Sequence, residues 1–347
     1  MTDHPAQVRV GVVGLGYWGP NLVRVLVETP GVHLAWLCDL DESRIDRLTR
    51  RYPAARTTTE LDDLLADPSL DAIALATPVP THHPVGRRIL EAGKHLLVEK
   101  PLAPSTAQAD DLIDLAAAND RVLMCGHTFL YSPPVLAAKR LLDDGELGDV
   151  LFVTSSRVNL GLHQKDVSVI WDLAPHDLSI LRFWLDETPQ TVSAIGRDSI
   201  VAGIPDVAFL NLQYPSEVLA NVELSWLAPS KLRRTVIVGS RKMLVYDDTS
   251  PEPIRLFDHG VVYEDPETFG AYQLSYRTGD ILSPRVDTFE PLGVEMQTWV
   301  NAIRACAVPD GHLSLARDVV ATAEAAESSL RDGGRQVTVA DAVGRGA

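Results

Sequence analysis

Cysteine is scarce in this chain. Three of its 347 residues are cysteines, Cys38, Cys125 and Cys306, and they lie far apart in the sequence. An odd, widely spaced set does not indicate a disulfide framework. A nucleophile or a metal ligand would be the functional interpretation. Small buried side chains in a reducing compartment explain the pattern better.

Long hydrophobic runs are also missing, although 46% of the residues are apolar. No segment approaches the roughly 20 consecutive apolar residues that cross a bilayer. The opening MTDHPAQ is polar and carries an acid, so it does not resemble a secretory signal. We therefore expect a cytoplasmic protein without a membrane partner. The length and the apolar fraction suffice for packed cores and favour two domains over one.

Positive charge is in deficit, with 31 Lys and Arg against 47 Asp and Glu and a formal net charge of −16. An acidic surface repels the phosphates of nucleic acids and the headgroups of anionic lipids. We therefore expect no nucleic-acid partner. Six of the cationic residues are lysines, so a lysine in a cleft is easy to notice.

The first third of the chain alternates short apolar runs with helical patterns. The apolar runs predict strands at Val8–Gly14, Val32–Asp39, Asp71–Thr77, in HLLVEKP and in RVLMCGH. Helical periodicity fills the intervals between them. Strands that alternate with helices predict a doubly wound parallel sheet with both faces covered. We therefore place an α/β domain at residues 1–127.

The pattern changes after His127. Strand-like runs then follow one another with short polar connections, at Thr191–Arg197, Val207–Tyr214, Val218–Trp226, Arg233–Val238 and Met243–Asp247. Such spacing predicts an antiparallel meander, and two helical patterns close the chain. We therefore expect an α+β domain with an open, mainly antiparallel sheet at residues 128–347. The segments Asp247–Asp258 and Gly270–Pro291 are expected to be long loops.

The segment GVVGLGYWG carries Gly14, Gly16 and Gly19 in the spacing GxGxxG. The first glycine permits a tight turn, the second lets the backbone approach a pyrophosphate, and the third lets helix and strand pack closely. The motif follows a predicted strand and opens a helix. Asp39 ends the next strand about 20 residues on, where an acid binds ribose hydroxyls. A plain glycine turn is the alternative, but the context favours a dinucleotide-binding Rossmann domain.

The residues after Asp39 bear on the choice of dinucleotide. Leu40, Asp41 and Glu42 come first, and the nearest basic residue is Arg44. A 2′-phosphate is usually accommodated by a basic residue near that acid. The sequence therefore favours NAD over NADP.

The segment VEKP ends a predicted parallel strand at its carboxyl edge, the edge where doubly wound sheets bind ligands. An ammonium group there would stabilise negative charge that develops on a hydroxyl or carbonyl oxygen, which makes Lys100 a catalytic candidate. A solvated lysine at a strand end is the alternative. Glu99 would either hold Lys100 in place or bind cofactor. The sequence leaves open whether the peptide bond before Pro101 is cis.

The segment WDLAPHDLSIL begins what we predict to be a buried helix, with Asp172 as its N-cap and Pro175 in its first turn. Asp172 and His176 are four residues apart and would project from one helix face. A carboxylate beside an imidazole suits general acid–base work on a secondary alcohol. On the alternative interpretation, Asp172 only caps the helix, Asp177 serves the helix dipole and His176 is a partly buried polar residue. These residues alone leave both interpretations open.

Taken together and in order, these motifs resemble the Gfo/Idh/MocA oxidoreductase family over essentially the whole chain. The segment ATPVPTHHP is similar to the family's cofactor-bordering loop after a Rossmann strand. The resemblance implies NAD(P)-dependent oxidation of a hydroxyl on a sugar or cyclitol, or the reverse reduction. Lys100 matches the catalytic lysine, and Asp172 and His176 match the acid and histidine of inositol dehydrogenases. Some ketoreductases of the family carry a tyrosine where this chain has His176.

The resemblance also implies contacts. We expect cofactor contacts from Gly14, Gly16, Tyr17, Trp18, Gly19, Asp39, Thr77, Pro78, His82, Glu99 and Lys100. Candidate substrate contacts are Tyr131, Arg157, Asn159 and His163, for which loop structure is the alternative. An open sheet needs covering, so we expect a homodimer or homotetramer.

The segments GYWGPN, GHTFLY and VIWDLAPHD are most similar to nucleotide-sugar 3-dehydrogenases and antibiotic-pathway dehydrogenases, including streptomycin-type cyclitol dehydrogenases. This points to antibiotic or surface-glycan biosynthesis. A deoxysugar 3-ketoreductase that works in the reducing direction is one alternative. A non-catalytic NAD-bound sensor or co-regulator is another, because folds outlive functions. A metal site at Asp172 and His176 is weaker, since no third ligand lies nearby, and we expect no metal.

Overall fold

The computed structural model describes residues 7–161, 164, 167–263 and 274–339. These residues form two compact units. The first holds the chain up to Tyr131 and the segment Phe289–Glu324, and the second holds Ser132–Thr288 and the segment that starts at Ala325. His163, a predicted substrate contact, lies outside the described residues.

The first unit contains a six-stranded parallel sheet in the order β3-β2-β1-β4-β5-β6. Its strands are β1 (Val8–Val13), β2 (Val32–Cys38), β3 (Arg56–Thr58), β4 (Ala72–Leu75), β5 (His95–Glu99) and β6 (Leu123–Gly126). This confirms the predicted doubly wound Rossmann sheet. β3 was not predicted, because its three polar residues, two of them exposed, carry no apolar pattern.

The helices that the sequence predicted between these strands are present. They are α1 (Gly19–Glu28), α2 (Glu42–Thr49), α3 (Leu61–Ala66), α4 (Val79–Glu91) and α5 (Thr106–Ala118). Side-chain caps fix two of their starts, because Asp41 accepts the Ser43 N–H and Ser105 accepts the Gln108 N–H.

Two late helices, α8 (Pro291–Ala305) and α9 (His312–Arg331), matter for the first unit. Val10 and Val12 of β1, Leu22 and Leu26 of α1, and Trp299 of α8 belong to one buried apolar cluster. The domain division predicted after His127 did not include Phe289–Glu324, which belongs to the first unit. The apolar side of a helix does not reveal which domain it covers.

The second unit contains a nine-stranded sheet in the order β14-β13-β12-β11-β7-β10-β9-β8-β15. Its strands are β7 (Val150–Leu160), β8 (Thr191–Arg197), β9 (Val207–Gln213), β10 (Leu219–Ser225), β11 (Leu227–Gly239), β12 (Met243–Asp247), β13 (Ile254–Tyr263), β14 (Leu274–Leu282) and β15 (Val337–Thr338). The pair β7 and β10 is parallel and the other neighbouring pairs are antiparallel. The helices α6 (Pro133–Asp143) and α7 (Val169–Leu185) precede most of these strands. The predicted open, mainly antiparallel sheet is confirmed.

The prediction of long loops was wrong at two places. β13 begins inside the segment 247–258, and β14 lies inside the segment 270–291. The prolines Pro251 and Pro253 precede β13 and do not interrupt it. β14 lies at the edge of the sheet and contains Arg277, Gly279 and Asp280, so it lacks the apolar alternation that marks a half-buried strand.

In the part of the chain that the structure describes, none of the helices combines the length and apolar character needed to cross a bilayer.

Candidate active site

The glycine loop of the first unit is shaped by two close backbone contacts. Gly14 has φ +92°, and a Cβ built on it would lie 2.5 Å from the Ala76 carbonyl oxygen. A Cβ on Gly19 would lie 2.1 Å from the Gly14 carbonyl oxygen. Both positions therefore require glycine, the first for its backbone conformation as well.

Gly16, the second glycine, faces an open side of the loop. A Cβ there would meet only the Arg44 Nη1 atom within 4 Å, at 3.6 Å. Beyond it, α1 begins at Gly19 with Trp18 as N-cap and without a side-chain cap. The first backbone N–H groups of a helix attract anions. The loop thus offers space for a pyrophosphate at the positive end of α1.

Asp39 is fixed to the same loop at the end of β2. Its Oδ2 atom accepts the Leu15 N–H at 2.6 Å, and its Oδ1 atom accepts the Asp41 N–H at 2.9 Å. The residue is 8% exposed. The carboxylate that the sequence assigned to the ribose is therefore held against the glycine loop by backbone donors.

His82 ties two loops of the first unit together. The ring is 1% exposed, with Nε2 at 2.8 Å from the Thr77 carbonyl oxygen and Nδ1 at 2.8 Å from the Pro101 carbonyl oxygen. Because both of these partners are acceptors, an imidazolium donates to both and a neutral ring donates to one. His82 therefore supports the Thr77–Pro78 loop, and its direct contact with cofactor stays a prediction.

Lys100 follows directly after β5 and precedes a cis peptide bond to Pro101, which answers a question that the sequence left open. Glu99 beside it is half-buried, and desolvation of its carboxyl raises the pKa to about 7 even though the Lys100 charge and a hydrogen bond from Trp18 act against that shift. The Trp18 contact joins the glycine loop to the end of β5. Gly126 lies opposite Glu99 in β6, and a Cβ there would be 3.1 Å from Oε2.

A cluster of buried polar side chains that no sequence motif indicated lies near the ends of β5 and β6. Glu295 of α8 is fully buried and accepts a hydrogen bond from the Thr128 hydroxyl at 2.7 Å. Burial, and then the charge of Glu99, raises its pKa well above the ordinary value. His127, 1% exposed, has a pKa lowered to about 3 by burial first and then by the charges of His312 and Lys100.

His312 of α9 completes this group. Its Nε2 atom accepts the Cys125 N–H at 2.9 Å, and burial lowers its pKa to about 4. Tyr131, a predicted substrate contact, has a pKa raised by burial and then by Glu295. No local signal could have assigned Glu295 or His312, because they follow β6 by more than a hundred residues.

The helix α7 of the second unit begins earlier than predicted. It starts at Val169 with Ser168 as N-cap, so Asp172 lies in its first turn and Pro175 in its second. The predictions of Asp172 as the N-cap and of Pro175 in the first turn were wrong, because the helical pattern runs on through Val169 and Ile170. Both Asp172 and His176 do belong to this helix, four residues apart. The prediction that they share a face is confirmed.

Asp172 is anchored from the sheet side. Its Oδ2 atom accepts the Trp226 indole N–H at 3.0 Å, and Trp226 is 1% exposed. His176 is half-buried. The carboxylate thus has a fixed position on the helix, which is what a residue that orients an imidazole or a hydroxyl requires.

Arg157 and Asp177 form an ion pair inside the second unit, 4% and 3% exposed. The Ser155 hydroxyl donates to the other Asp177 oxygen at 2.8 Å. The expectation that Asp177 serves the helix dipole was therefore wrong, because it lies mid-helix and neutralises Arg157. Asn159 is half-buried, and a Cβ on Gly161 would lie 2.9 Å from its Oδ1 atom.

The predicted site residues are thus divided between the two units. Gly14, Gly16, Tyr17, Trp18, Gly19, Asp39, Thr77, Pro78, His82, Glu99, Lys100 and Tyr131 lie in the first unit, and Arg157, Asn159, Asp172 and His176 lie in the second. Among all described residues, no three side chains of His, Cys, Asp or Glu converge as a metal site would require.

Comparisons with known proteins bear on this arrangement. Residues 8–127 match the model of an oxidoreductase family with an NAD-binding Rossmann fold, GFO_IDH_MocA. Residues 135–245 match the GFO/IDH/MocA C-terminal domain. The chain belongs to the Gfo/Idh/MocA oxidoreductase family. The resemblance seen in the sequence is thereby confirmed.

Two curated proteins are similar to this chain. The uncharacterized oxidoreductase YdgJ of Escherichia coli (strain K12) is 32% identical over 262 residues, 72% of this chain and 74% of that protein. An inositol 2-dehydrogenase of Mycolicibacterium smegmatis is 29% identical over 226 residues, 63% of this chain and 66% of that protein.

Among solved structures, GenD2 from gentamicin A biosynthesis, in complex with NAD, superposes with a TM-score of 0.82 at 26% identity and covers 98% of both chains. An aldose-aldose oxidoreductase from Caulobacter crescentus has a TM-score of 0.79 at 19% identity, over 96% of this chain and 99% of that chain, and shows the shared fold alone.

The first unit of this Gfo/Idh/MocA protein is an NAD-binding domain, and its residues fit the cofactor. The two glycines that must lack a Cβ shape the turn, Gly16 leaves room for close approach, and the positive end of α1 follows directly after the loop. The fixed Asp39 carboxylate suits ribose hydroxyls. The fit therefore depends on features that a plain glycine turn does not need.

Proposed function

We propose that this protein is an NAD-dependent dehydrogenase that interconverts a secondary alcohol of a sugar or cyclitol and the corresponding ketone. The observation that carries the proposal is the pair Asp172 and His176 on one face of α7, with Asp172 held by the Trp226 indole. An acid–base pair of this kind has no evident use in a protein that only binds NAD. Lys100, at the carboxyl edge of the Rossmann sheet, supplies the matching cation.

The residues have distinct roles in this proposal. His176 removes the proton of the substrate hydroxyl, or returns it in the reducing direction. Lys100 stabilises the negative charge that develops on the substrate oxygen. Asp172 positions either the imidazole or the substrate hydroxyl. When bound, NAD supplies the hydride acceptor or donor, and the protein contributes orientation and electrostatics.

Relatives support the class of substrate. The family includes inositol 2-dehydrogenases at about 29% identity to this chain, and GenD2 comes from an antibiotic pathway. We propose a polyhydroxylated ring as substrate, free or nucleotide-linked, in antibiotic or surface-glycan biosynthesis. Tyr131, Asn159 and His163 stay proposed substrate contacts. Arg157 is buried in its ion pair with Asp177, so we propose that it supports α7.

We also propose a homodimer or homotetramer. Two cross-strand pairs on the sheet of the second unit expose large apolar side chains. Phe152 lies opposite Leu219, and Ile195 lies opposite Phe209. A patch of this kind on an otherwise acidic protein is typical of an interface.

A panel assay tests the function. Purified full-length protein would be mixed with NAD or NADP and with inositols, free sugars, and UDP- or dTDP-sugars, and reduced nicotinamide would be followed by absorbance. The matching ketones with NADH test the reducing direction. We expect turnover with at least one polyol class. Tight NAD binding without turnover in either direction would instead support an NAD-bound sensor.

A further inference from the structure

Arg44, the first basic residue after β2, lies over the glycine loop. Its Nη1 atom is 3.4 Å from Asp39 Oδ2, and its Nε atom is 3.3 Å from Asp41 Oδ2. The same Nη1 atom is 3.6 Å from the position of a Cβ on Gly16. The sequence suggested only that Arg44 follows the acid at a distance. In the structure, the carboxylates of Asp39 and Asp41 hold the Arg44 guanidinium beside Gly16.

Neither carboxylate is free to turn away from the guanidinium. Both Asp39 oxygens accept backbone N–H groups, from Leu15 and from Asp41. Asp41 Oδ1 caps α2, where it accepts the Ser43 N–H at 2.9 Å and the Ser43 hydroxyl at 2.6 Å. Because Asp41 Oδ1 is bound in the helix cap, the other oxygen, Oδ2, faces Arg44.

This arrangement has an electrostatic consequence at the adenosine end of a bound dinucleotide. In Rossmann domains the acid that ends the second strand meets the ribose, and an arginine nearby accommodates a 2′-phosphate. Here the arginine is present, but its charge is shared by two carboxylates, and Glu42 adds a third acid in the same turn. An unmodified ribose meets hydrogen-bond acceptors, whereas a 2′-phosphate meets like charge.

We propose that the Asp41–Arg44 pair is a determinant of cofactor choice. Asp41 holds the Arg44 guanidinium in an ion pair and so withholds it from the 2′-phosphate of NADP. This residue acts in addition to Asp39, and the proposal depends on the NAD-binding domain and not on the identity of the substrate. A family member that keeps Arg44 but lacks the carboxylate at position 41 would accept NADP more readily.

The test is equilibrium binding of NADP and NAD to the purified full chain without substrate, by calorimetry or tryptophan fluorescence. Asp41→Asn removes the charge but keeps the shape and the helix cap, since Asn caps as well as Asp. We expect its Kd for NADP to fall about tenfold, the value of one new charge-assisted hydrogen bond. The Kd for NAD should change by less than about threefold, because Asp39 is untouched.

Two further variants assign the effect. Glu42→Gln removes the same charge from the same turn, and in the described structure Glu42 is not paired with Arg44. Its NADP affinity should rise by less than about twofold, because an exposed charge acts only through a screened field. Adding Arg44→Met to Asp41→Asn should cancel the gain, because the freed guanidinium is then gone.

Three outcomes would overturn the proposal: unchanged NADP binding in a folded Asp41→Asn variant, an equal gain in Glu42→Gln, or a gain that survives Arg44→Met. Asp41→Ser, which also retains a capping side chain, repeats the test if Asp41→Asn fails to fold. Because binding is measured without turnover, these outcomes are independent of whether the proposed dehydrogenase activity is found.

Discussion

At the scale of single residues, the ion pair of Arg157 and Asp177 is the clearest case in which a buried charge serves structure. Removal of one partner leaves an uncompensated charge inside the second unit. We expect Arg157→Met to lower the free energy of unfolding by about 3–5 kcal/mol in urea titrations. The double variant Arg157→Met/Asp177→Leu should recover most of that loss, since an apolar pair can replace a buried ion pair. A stable Arg157→Met protein with a raised KM would instead make Arg157 a substrate contact.

His312 makes stability depend on pH. Its folded-state pKa is lowered to about 4, below the value of about 6.5 for an unfolded chain. Its contribution to stability is therefore present above pH 6.5 and is lost as the pH falls toward 4. Glu99 acts in the opposite sense, because its raised pKa of about 7 favours the folded state as the pH falls.

His312→Gln separates these two trends. The Gln carbonyl can still accept the Cys125 N–H but does not titrate, so the variant should lose about 1–3 kcal/mol less stability than the wild type between pH 7 and pH 4. Thermal unfolding at a series of pH values measures this. If His312→Gln lost as much stability as the wild type between pH 7 and pH 4, protonation of His312 would not be what destabilises the protein in acid.

At the scale of elements, two glycines of the glycine loop should affect different properties: Gly16 cofactor binding and Gly19 stability. A methyl group on Gly16 meets only the flexible end of Arg44, whereas one on Gly19 meets the Gly14 backbone at 2.1 Å. We expect Gly16→Ala to keep its melting temperature but to weaken NAD binding at least about tenfold, since the methyl occupies the approach to the pyrophosphate. Gly19→Ala should cost about 2 kcal/mol or more in stability. Wild-type NAD affinity in Gly16→Ala would show that the pyrophosphate does not approach the loop at Gly16.

Some elements were predictable from the sequence and others were not, for physical reasons. Five of the six strands of the Rossmann sheet are short and mainly apolar, so their hydrophobic pattern predicts them. The polar β3 is the exception. The start of α7 was misplaced because Asp172 has the chemistry of a cap, while the helical pattern continues through Val169 and Ile170. β14 was missed because an edge strand need not alternate.

In the candidate site, too, only residues with a local sequence signal could be predicted. Lys100, Asp172 and His176 carry local signals: a position after a strand and a spacing of four residues. Glu295 and His312 act through packing of α8 and α9, which no local pattern encodes. The proposed role of Arg44 could not be predicted from the sequence, because its spacing from Asp39 does not indicate that two carboxylates bind it.

At the scale of the whole molecule, the exposed apolar pairs predict self-association. Ile195 is 58% exposed and Phe209 is 39% exposed, side by side on β8 and β9. We expect Ile195→Lys/Phe209→Lys to reduce the molar mass measured by light scattering to that of one chain, because like charges would face each other across the interface. Ala107→Lys, at an exposed position of α5 in the first unit, is the control. A wild-type protein that is monomeric at micromolar concentration would contradict the proposed oligomer.

The proposed dehydrogenase reaction requires both Lys100 and His176. The most direct measurement is the rate of NADH formation at saturating NAD, with the best substrate of the panel, in the wild type, Lys100→Met and His176→Gln. Lys242→Met, which removes a lysine paired with Glu146, serves as the control. We predict that, once NAD is saturating, the first two variants turn over at least about 100-fold more slowly, whereas the control keeps its rate. Wild-type turnover in either Lys100→Met or His176→Gln would contradict the proposal that both residues serve the reaction.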